Sequence, residues 1–402
     1  MLKNPLPGFE AVSGEGKDVK AGIYCFYYDE ETGDLTSASN YYTDSITSVL
    51  KISSDGKYLF SNDEERNRHG EKNAGGGVLS FSIDSKTGAL SLLSDKSSFG
   101  ASPAFIDIDK SGRLLFAANL GNPHQNYVKV LKNSDGDYIM STAEEEGTIS
   151  VMPINSDGII GDPTDVTGYC DDRYQTHVNE YSHYHCVCVD PTNQYLIVCD
   201  TKDKIYIYRI DQDSNTLIPN EKFSITVEMM SEPRFVQFHP NGRFFYINNQ
   251  HNSTVDAFSF DAGTGTVEQI AHIMTVKKSE DALKTWTSEM TMTPDGKYLY
   301  VASRGMGKIM RGLQCPPSSV SIIKIDEKTG MPELLDEVYV KAENPRGIGM
   351  SPDGHFLFVV SVDTNEIYRF TIDSVTGMLS EEKAVAEAVT PSSICFITLE
   401  IE

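Results

Sequence analysis

Apolar and polar residues alternate along most of this chain in runs of six to eight. Examples are GIYCFYYD (22–29), VLSFSID (78–84), TISVMPI (148–154), KIYIYRI (204–210), TVDAFSF (254–260), SVSIIKI (319–325) and EIYRFTI (366–372). A period of two puts successive side chains on opposite faces, which is the mark of a β-strand. No segment sustains a 3.6-residue period over a dozen positions, so a helical solenoid is excluded. Short turns punctuate the runs, and two turn patterns recur. The first reads SSDGKYLF (53–60), DKSGRLLF (109–116), DPTNQYLI (190–197), HPNGRFFY (239–246), TPDGKYLY (293–300) and SPDGHFLF (351–358). The second reads ETGDL (31–35), KTGAL (86–90), SDGII (156–160), DSNTL (213–217), GTGTV (263–267), KTGMP (328–332) and VTGML (375–379). Gly accepts positive φ without steric cost, so both patterns are tight hairpin turns.

The repeating unit is therefore strand A, a PDG-like turn, strand B, a variable loop, strand C, a TG-like turn and strand D. Four antiparallel strands repeated radially make a propeller blade, which leaves only short, protected sheet edges. A β-sandwich would not repeat the same two turns. Six copies of one turn and seven of the other predict an all-β, seven-bladed β-propeller whose last blade is assembled from both chain ends. Its strand A comes from PSSICFITLEI (391–401) and its other strands from the N-terminal portion, closing the ring like a clasp. Residues 1–402 form one domain in this reading.

Strand A lines the channel in such a unit, and the short turns share one face. The opposite face carries the variation, with long loops at 64–77, 121–147 and 305–318. Variable loops on a rigid scaffold are where binding sits. Residues at the start of strand A or the end of strand B surround that mouth. They include His183, His185, Arg234, Glu289, Arg304 and Arg346, with Asn119, Asp200 and Gln250 at strand B ends. Guanidiniums suit carboxylate or phosphate ligands, so these residues predict a pocket for a small anion. The 121–147 loop, polar and acidic with Glu144, Glu145 and Glu146, is either a lid over the mouth or a free loop. Lys308 and Arg311, and Arg66, Arg68 and His69, offer further positive charge from mouth loops, or are solvated surface.

The formal net charge of −24 sharpens this expectation, because an anionic ligand needs a local cationic cluster to overcome a repellent surface. The same acidity argues against nucleic acid as a partner. No apolar run is long enough to span a bilayer, and MLKNPLPGFEAVSGEGKDVK lacks the apolar core of a secretory signal. The chain reads as cytoplasmic, a monomer or weak homo-oligomer. Seven scattered cysteines are an odd set for a disulfide framework. Cys186 and Cys188 share one strand face and His183 and His185 the other, so no metal site is expected. Nor is a cofactor, since no glycine-rich phosphate loop opens a helix.

At these residues the sequence resembles the seven-bladed lactonase family, whose members include bacterial-type 6-phosphogluconolactonases and fungal carboxy-cis,cis-muconate cyclases. SHYHCVCVDPTNQYLIVCD (182–200), EPRFVQFHPNGRFFYINNQ (232–250), SEMTMTPDGKYLYVASRG (288–305) and ENPRGIGMSPDGHFLFVV (343–360) carry the likeness. It implies a working set at His185, Arg234, position 250 and Arg304. Position 250 is Gln, where the family has a carboxylate. The implied activity is hydrolysis of a sugar-acid lactone, most simply 6-phosphogluconolactone to 6-phosphogluconate. His185 would be the base, Arg234 and Arg304 would hold the anion and the developing oxyanion, and Glu289 would orient His185 or replace the missing carboxylate. His183, Gln250, Arg346, Asn119 and Asp200 would contact substrate. Two other readings remain open: a lactonising muconate cyclase, and a non-catalytic propeller that binds a small anion or a protein partner.

Overall fold

Both turn patterns form, and one backbone feature defines them. Gly56, Gly112, Gly242, Gly296 and Gly354 take φ between 69 and 77°, and Asn193 takes φ 66° at the turn that lacks glycine. In the second set Gly33, Gly88, Gly158, Gly265, Gly330 and Gly377 lie between 68 and 79°, with Asn215 at 54°. Asn is the residue that tolerates this left-handed region best after Gly. The computed structural model describes residues 21–398, apart from 72–73, 133–136, 169–181, 306–308 and 311–312.

The hairpins build an all-β propeller of six complete four-stranded antiparallel blades. Blade I contains Leu50–Ile52, Tyr58–Asp63, Gly77–Ile83 and Leu90–Ser97, and blade II Pro103–Ile108, Leu114–Asn119, Thr148–Pro153 and Asp165–Gly168. Blade III contains Tyr184–Val189, Tyr195–Asp200, Lys204–Asp211 and Thr216–Thr226, and blade IV Pro233–Phe238, Phe244–Asn249, Thr254–Asp261 and Thr266–Met274. Blade V contains Trp286–Met292, Tyr298–Arg304, Ser319–Ile325 and Pro332–Tyr339, and blade VI Pro345–Met350, Phe356–Ser361, Glu366–Ile372 and Leu379–Glu387. Within each blade the strands pair in chain order from A to D. Strand B is buried along nearly its whole length in every blade. That matches its place inside the sheet, with neighbouring blades packed on both faces.

Blades stack through a repeated contact. The TG-turn glycine of one blade sits on the aromatic residue that opens or precedes strand B of the blade before it. A Cβ at Gly158, Gly265, Gly330 or Gly377 would stand 2.3 to 2.5 Å from Tyr58, Tyr195, Phe244 or Tyr298 respectively. A side chain there could not be accommodated, so glycine serves the packing as well as the turn.

The seam differs from expectation. Gly22–Tyr28 and Leu35–Tyr42 form a two-stranded sheet, and residues 391–398 make no ladder pairing. The N-terminal stretch 1–20 lies outside the described residues. The pieces still pack where a further blade would stand. A Cβ at Gly33 would meet Phe356 of blade VI at 2.9 Å, the same blade-to-blade contact as elsewhere. Phe396 lies edge-on to Tyr28 at 5.5 Å and against Phe358 at 5.3 Å. On the other side, Ile23 joins Leu59, Leu79 and Phe81 of blade I.

The 121–147 segment is not an irregular loop. Asn122–Lys132 and Tyr138–Glu145 pair as an antiparallel hairpin between strands B and C of blade II. Arg66 forms an ion pair with Glu145 at its base. Arg68 and His69 both engage Asp95, so these three basic residues are committed to carboxylates. Ile309–Met310 and Leu313–Gln314 form a small ladder in the third long loop; Lys308 and Arg311 lie outside the described residues. Cys25, Cys186, Cys188, Cys199, Cys315 and Cys395 are free thiols, and Cys170 lies outside the described residues. Among the described residues no helix is long and apolar enough to cross a membrane.

Candidate active site

Two sequence positions, counted from the PDG turn, supply the channel mouth. The first lies five residues before the turn begins and is occupied by Ala104, His185, Arg234, Ser288 and Arg346 in blades II to VI. In each of these blades the A–B register slips here. Pro103, Tyr184, Pro233 and Pro345 pair with strand B, and then Phe105, Cys186, Phe235 and Gly347 do, so the residue between is left out of the ladder. In blade V both Ser288 and Glu289 fall in the slip between Thr287 and Met290. A β-bulge re-aims the side chain of its extra residue. Bulges thus turn His185, Arg234, Glu289 and Arg346 away from ordinary strand alternation. Ser102, Glu232 and Asn344, just before the prolines of blades II, IV and VI, hold φ of 51 to 53° and set the sharp entry.

The second position lies eleven residues after the turn begins, where strand B ends. It carries Glu64, Gln250 and Arg304 in blades I, IV and V. The two positions meet. Gln250 Oε1 accepts from Arg234 Nε at 2.9 Å and from Arg304 Nη2 at 2.8 Å. Arg346 Nη2 donates to Glu64 Oε2 at 2.6 Å. Arg234 Nη1 also donates to the Ser288 carbonyl, which ties blade IV to blade V. Arg304 lies over the Trp286 ring at 5.9 Å, and its buried Nε has no partner among the described residues. Among the described residues no carboxylate is within ion-pair reach of Arg234 or Arg304.

The cluster shifts the acidities of its members. Burial raises the Glu289 carboxyl to about 7, although Arg234, Arg346 and Lys51 pull the other way. Burial and then the charges of Arg234, Arg346 and Arg304 hold the His185 imidazole well below its ordinary value. His185 is therefore a neutral imidazole, and its buried Nδ1 has no partner among the described residues. Burial first, and the three guanidiniums after it, oppose protonation of the imidazole expected to act as base. Burial and Arg346 bring Arg234 down to about 10, which still leaves it a cation. Burial, with Arg234 and Arg346, lowers Arg304 too.

The other expected residues take different places. His183 is fully buried and its Nδ1 is 2.9 Å from the Leu120 carbonyl of blade II. Asp200 accepts from the His183 backbone N–H at 2.9 Å and that of Lys202 at 3.0 Å. Asn119 Nδ2 donates to the Ser98 carbonyl at 3.1 Å and to Thr148 Oγ1 at 3.0 Å. These three side chains brace loops between blades, and no described contact joins them to the guanidiniums. No hydrogen bond links Glu289 to His185 among the described residues, so the orienting role expected of Glu289 has no contact behind it. Gln250 turns its carbonyl to the two arginines.

Sequence reasoning missed three residues. Glu64, 9% exposed, partners Arg346 from a loop it opens. Glu232 accepts from Gln250 Nε2 at 3.2 Å. Lys51 forms a 3.0 Å ion pair with Asp107 inside the channel. Burial alone would lower the Lys51 ammonium, and the Asp107 carboxylate outweighs it, so Lys51 is raised and stays charged. Counting from the turn would have found Glu64, since it shares the position of Gln250 and Arg304. The channel holds a cavity of about 440 Å³ bordered by Glu289, Lys51, Phe105, Phe235, Gln237 and Thr291. Glu289 thus stands between the guanidinium cluster and an open cavity large enough for a small molecule.

The chain that carries this cluster of three arginines and two acids has relatives. The chain matches the model of the family described as Lactonase, 7-bladed beta-propeller, over residues 11–396, and belongs to that family. The 6-phosphogluconolactonase of Formosa agariphila is 28% identical over 369 residues, covering 90% of this chain and 91% of its own length. A crystal structure from Bacteroides fragilis is 26% identical, with a TM-score of 0.74 and 96% of both chains covered. The periplasmic gluconolactonase of Pseudomonas aeruginosa shares the fold at a TM-score of 0.77 and 22% identity, covering 96% of this chain and 97% of its own.

Proposed function

We propose that this protein hydrolyses the lactone of an anionic sugar acid, with 6-phosphogluconolactone as substrate and 6-phosphogluconate as product. The observation that carries this reading is the pair Arg234 and Arg304, held on one amide oxygen beside a carboxyl whose pKa lies near neutrality. The curated relative from Formosa agariphila, named for that reaction and matched along nine-tenths of both chains, supports the substrate.

The Glu289 carboxylate takes a proton from water as the oxygen attacks the ring carbonyl. The oxyanion that forms is stabilised by a guanidinium fixed before the reaction begins, which is where such stabilisation is largest. The carbonyl then re-forms, the ring C–O bond breaks, and Glu289 returns the proton to the leaving hydroxyl. A base with a pKa near the working pH is the efficient choice. Neutral His185 hydrogen-bonds the substrate through its free Nδ1. Arg234 and Arg304 hold the anionic group, and Arg346, neutralised by Glu64, lines the wall. The residues 391–398, 22–28 and 35–42 belong to the seventh blade in this proposal, so that the mouth is a closed ring.

Freshly prepared δ-6-phosphogluconolactone offered to the purified protein tests the proposal against spontaneous opening. Turnover well above background is expected. A rate equal to background contradicts it, and turnover of 3-carboxymuconate in place of the lactone would assign the cyclase reaction.

A further inference from the structure

Gln250 looks like a carboxylate lost from the site, and its surroundings say otherwise. Its carbonyl oxygen accepts from Arg234 and Arg304 while its amide nitrogen donates to Glu232 Oε2 at 3.2 Å. An amide does both at once, because it carries an acceptor and a donor on one carbon, whereas an ionised carboxylate only accepts. A glutamate at 250 would face the Glu232 carboxylate at this distance, oxygen to oxygen. Glu232 is not free to withdraw. It sits in the left-handed region at φ 53°, and its N–H is held by Asp203 Oδ1 at 2.9 Å. The same Asp203 carboxylate holds the N–H of Met230 at 2.8 Å through its other oxygen. His251 Nδ1 lies 3.2 Å from Glu232 Oε1 and fixes the far side of the carboxylate.

We infer that Gln250 and Glu232 are a positioning pair that aligns Arg234 and Arg304 while keeping negative charge off them, and that the pocket thereby selects a doubly charged anion over a singly charged one. The inference rests on the anion-site reading above. Arg346 is paired with Glu64 at 2.6 Å, whereas Arg234 and Arg304 share the Gln250 amide oxygen and, among the described residues, no carboxylate is within ion-pair reach of either. The Glu232 side chain is 31% exposed, so solvent screens it from the guanidiniums. Two cations without a directly bound carboxylate fit a phosphate dianion. A carboxylate at 250 would occupy that role itself.

Equilibrium binding tests this apart from catalysis. Calorimetry with 6-phosphogluconate and with gluconate gives a selectivity ratio, with the phosphorylated probe expected to bind at least about tenfold more tightly. Gln250→Glu should cut that ratio about tenfold and lower Tm, since two carboxylates then face each other. Adding Glu232→Gln removes the clash and restores the amide–carboxylate hydrogen bond with its partners exchanged. The double variant should regain Tm and keep the lowered ratio. Recovery of wild-type selectivity in the double variant would reduce Gln250 to a structural role and overturn the inference. So would an unchanged ratio in Gln250→Glu, or no preference in the wild type. Absence of lactone turnover together with the expected ratios would count against the hydrolase proposal alone.

Discussion

Arg346 and Glu64 stand 282 positions apart in the chain, and their side chains meet at 2.6 Å across the seam between blade VI and blade I. The pair is 15% and 8% exposed, so neither charge has water to fall back on. Removing one partner from a buried pair costs about 3–5 kcal/mol because the other is stranded. Arg346→Met should therefore lower Tm more than Glu64→Gln combined with Arg346→Met does. A double-mutant cycle by thermal unfolding checks this, and additive effects would show that the pair does not couple the two blades.

Glu289 sets a pH dependence with two consequences of opposite direction. Its active form is the carboxylate, so hydrolysis should rise with pH through about 7. Glu289→Gln should lower kcat about 10²–10⁴-fold and abolish that limb. Stability runs the other way. Its folded pKa is raised above the unfolded value, so its stabilising contribution is complete below the unfolded value and fades as pH climbs through about 7. The Tm of Glu289→Gln relative to wild type should therefore improve as pH is raised over that window.

His185 should resist protonation. Burial and three nearby guanidiniums lower its pKa well below the ordinary value, so its ring should stay neutral where free histidine titrates. Imidazole nitrogen shifts measured by NMR between about pH 8 and pH 5 check this against the ordinary value near 6.5. A transition near that value would show that the arginines do not press on it.

The C-terminal segment should matter to the whole ring. Phe396 packs on Tyr28 and Phe358, and a Cβ at Gly349 would come within 2.6 Å of Ile394. Phe396→Ala should cost about 3 kcal/mol, the low end for a large core truncation, since this ring is only partly buried. Deleting 391–402 should remove cooperative unfolding by calorimetry.

The turns were legible because Gly and Asn mark positive φ in any context, and thirteen such turns gave the blade count of strands and its order. The mouth residues His185, Arg234, Glu289 and Arg346 were legible because the same count places them at the head of strand A. Their bulges were not, since a register slip depends on the pairing strand. Glu64 was overlooked as the opening residue of a loop, and its partner lies at the other end of the chain. Gln250 read as a missing charge because Glu232, which orients its amide, is fixed by a strained backbone that no local pattern announces. The hairpin at 122–145 was hidden by its polar composition, although YVKVL and YIMST alternate as strands do. The lowered pKa of His185 is a product of burial and convergence, and neither exists before the chain folds.

The account stands most directly on Arg304, the guanidinium whose buried Nε is left open. Steady-state hydrolysis of 6-phosphogluconolactone by wild type and Arg304→Ala, with circular dichroism confirming the fold, measures its part. A fall in kcat/KM of about 10²–10³-fold is expected for loss of one of the two fixed cations that hold the anionic group. A correctly folded variant that hydrolyses the lactone as fast as wild type would contradict the central claim.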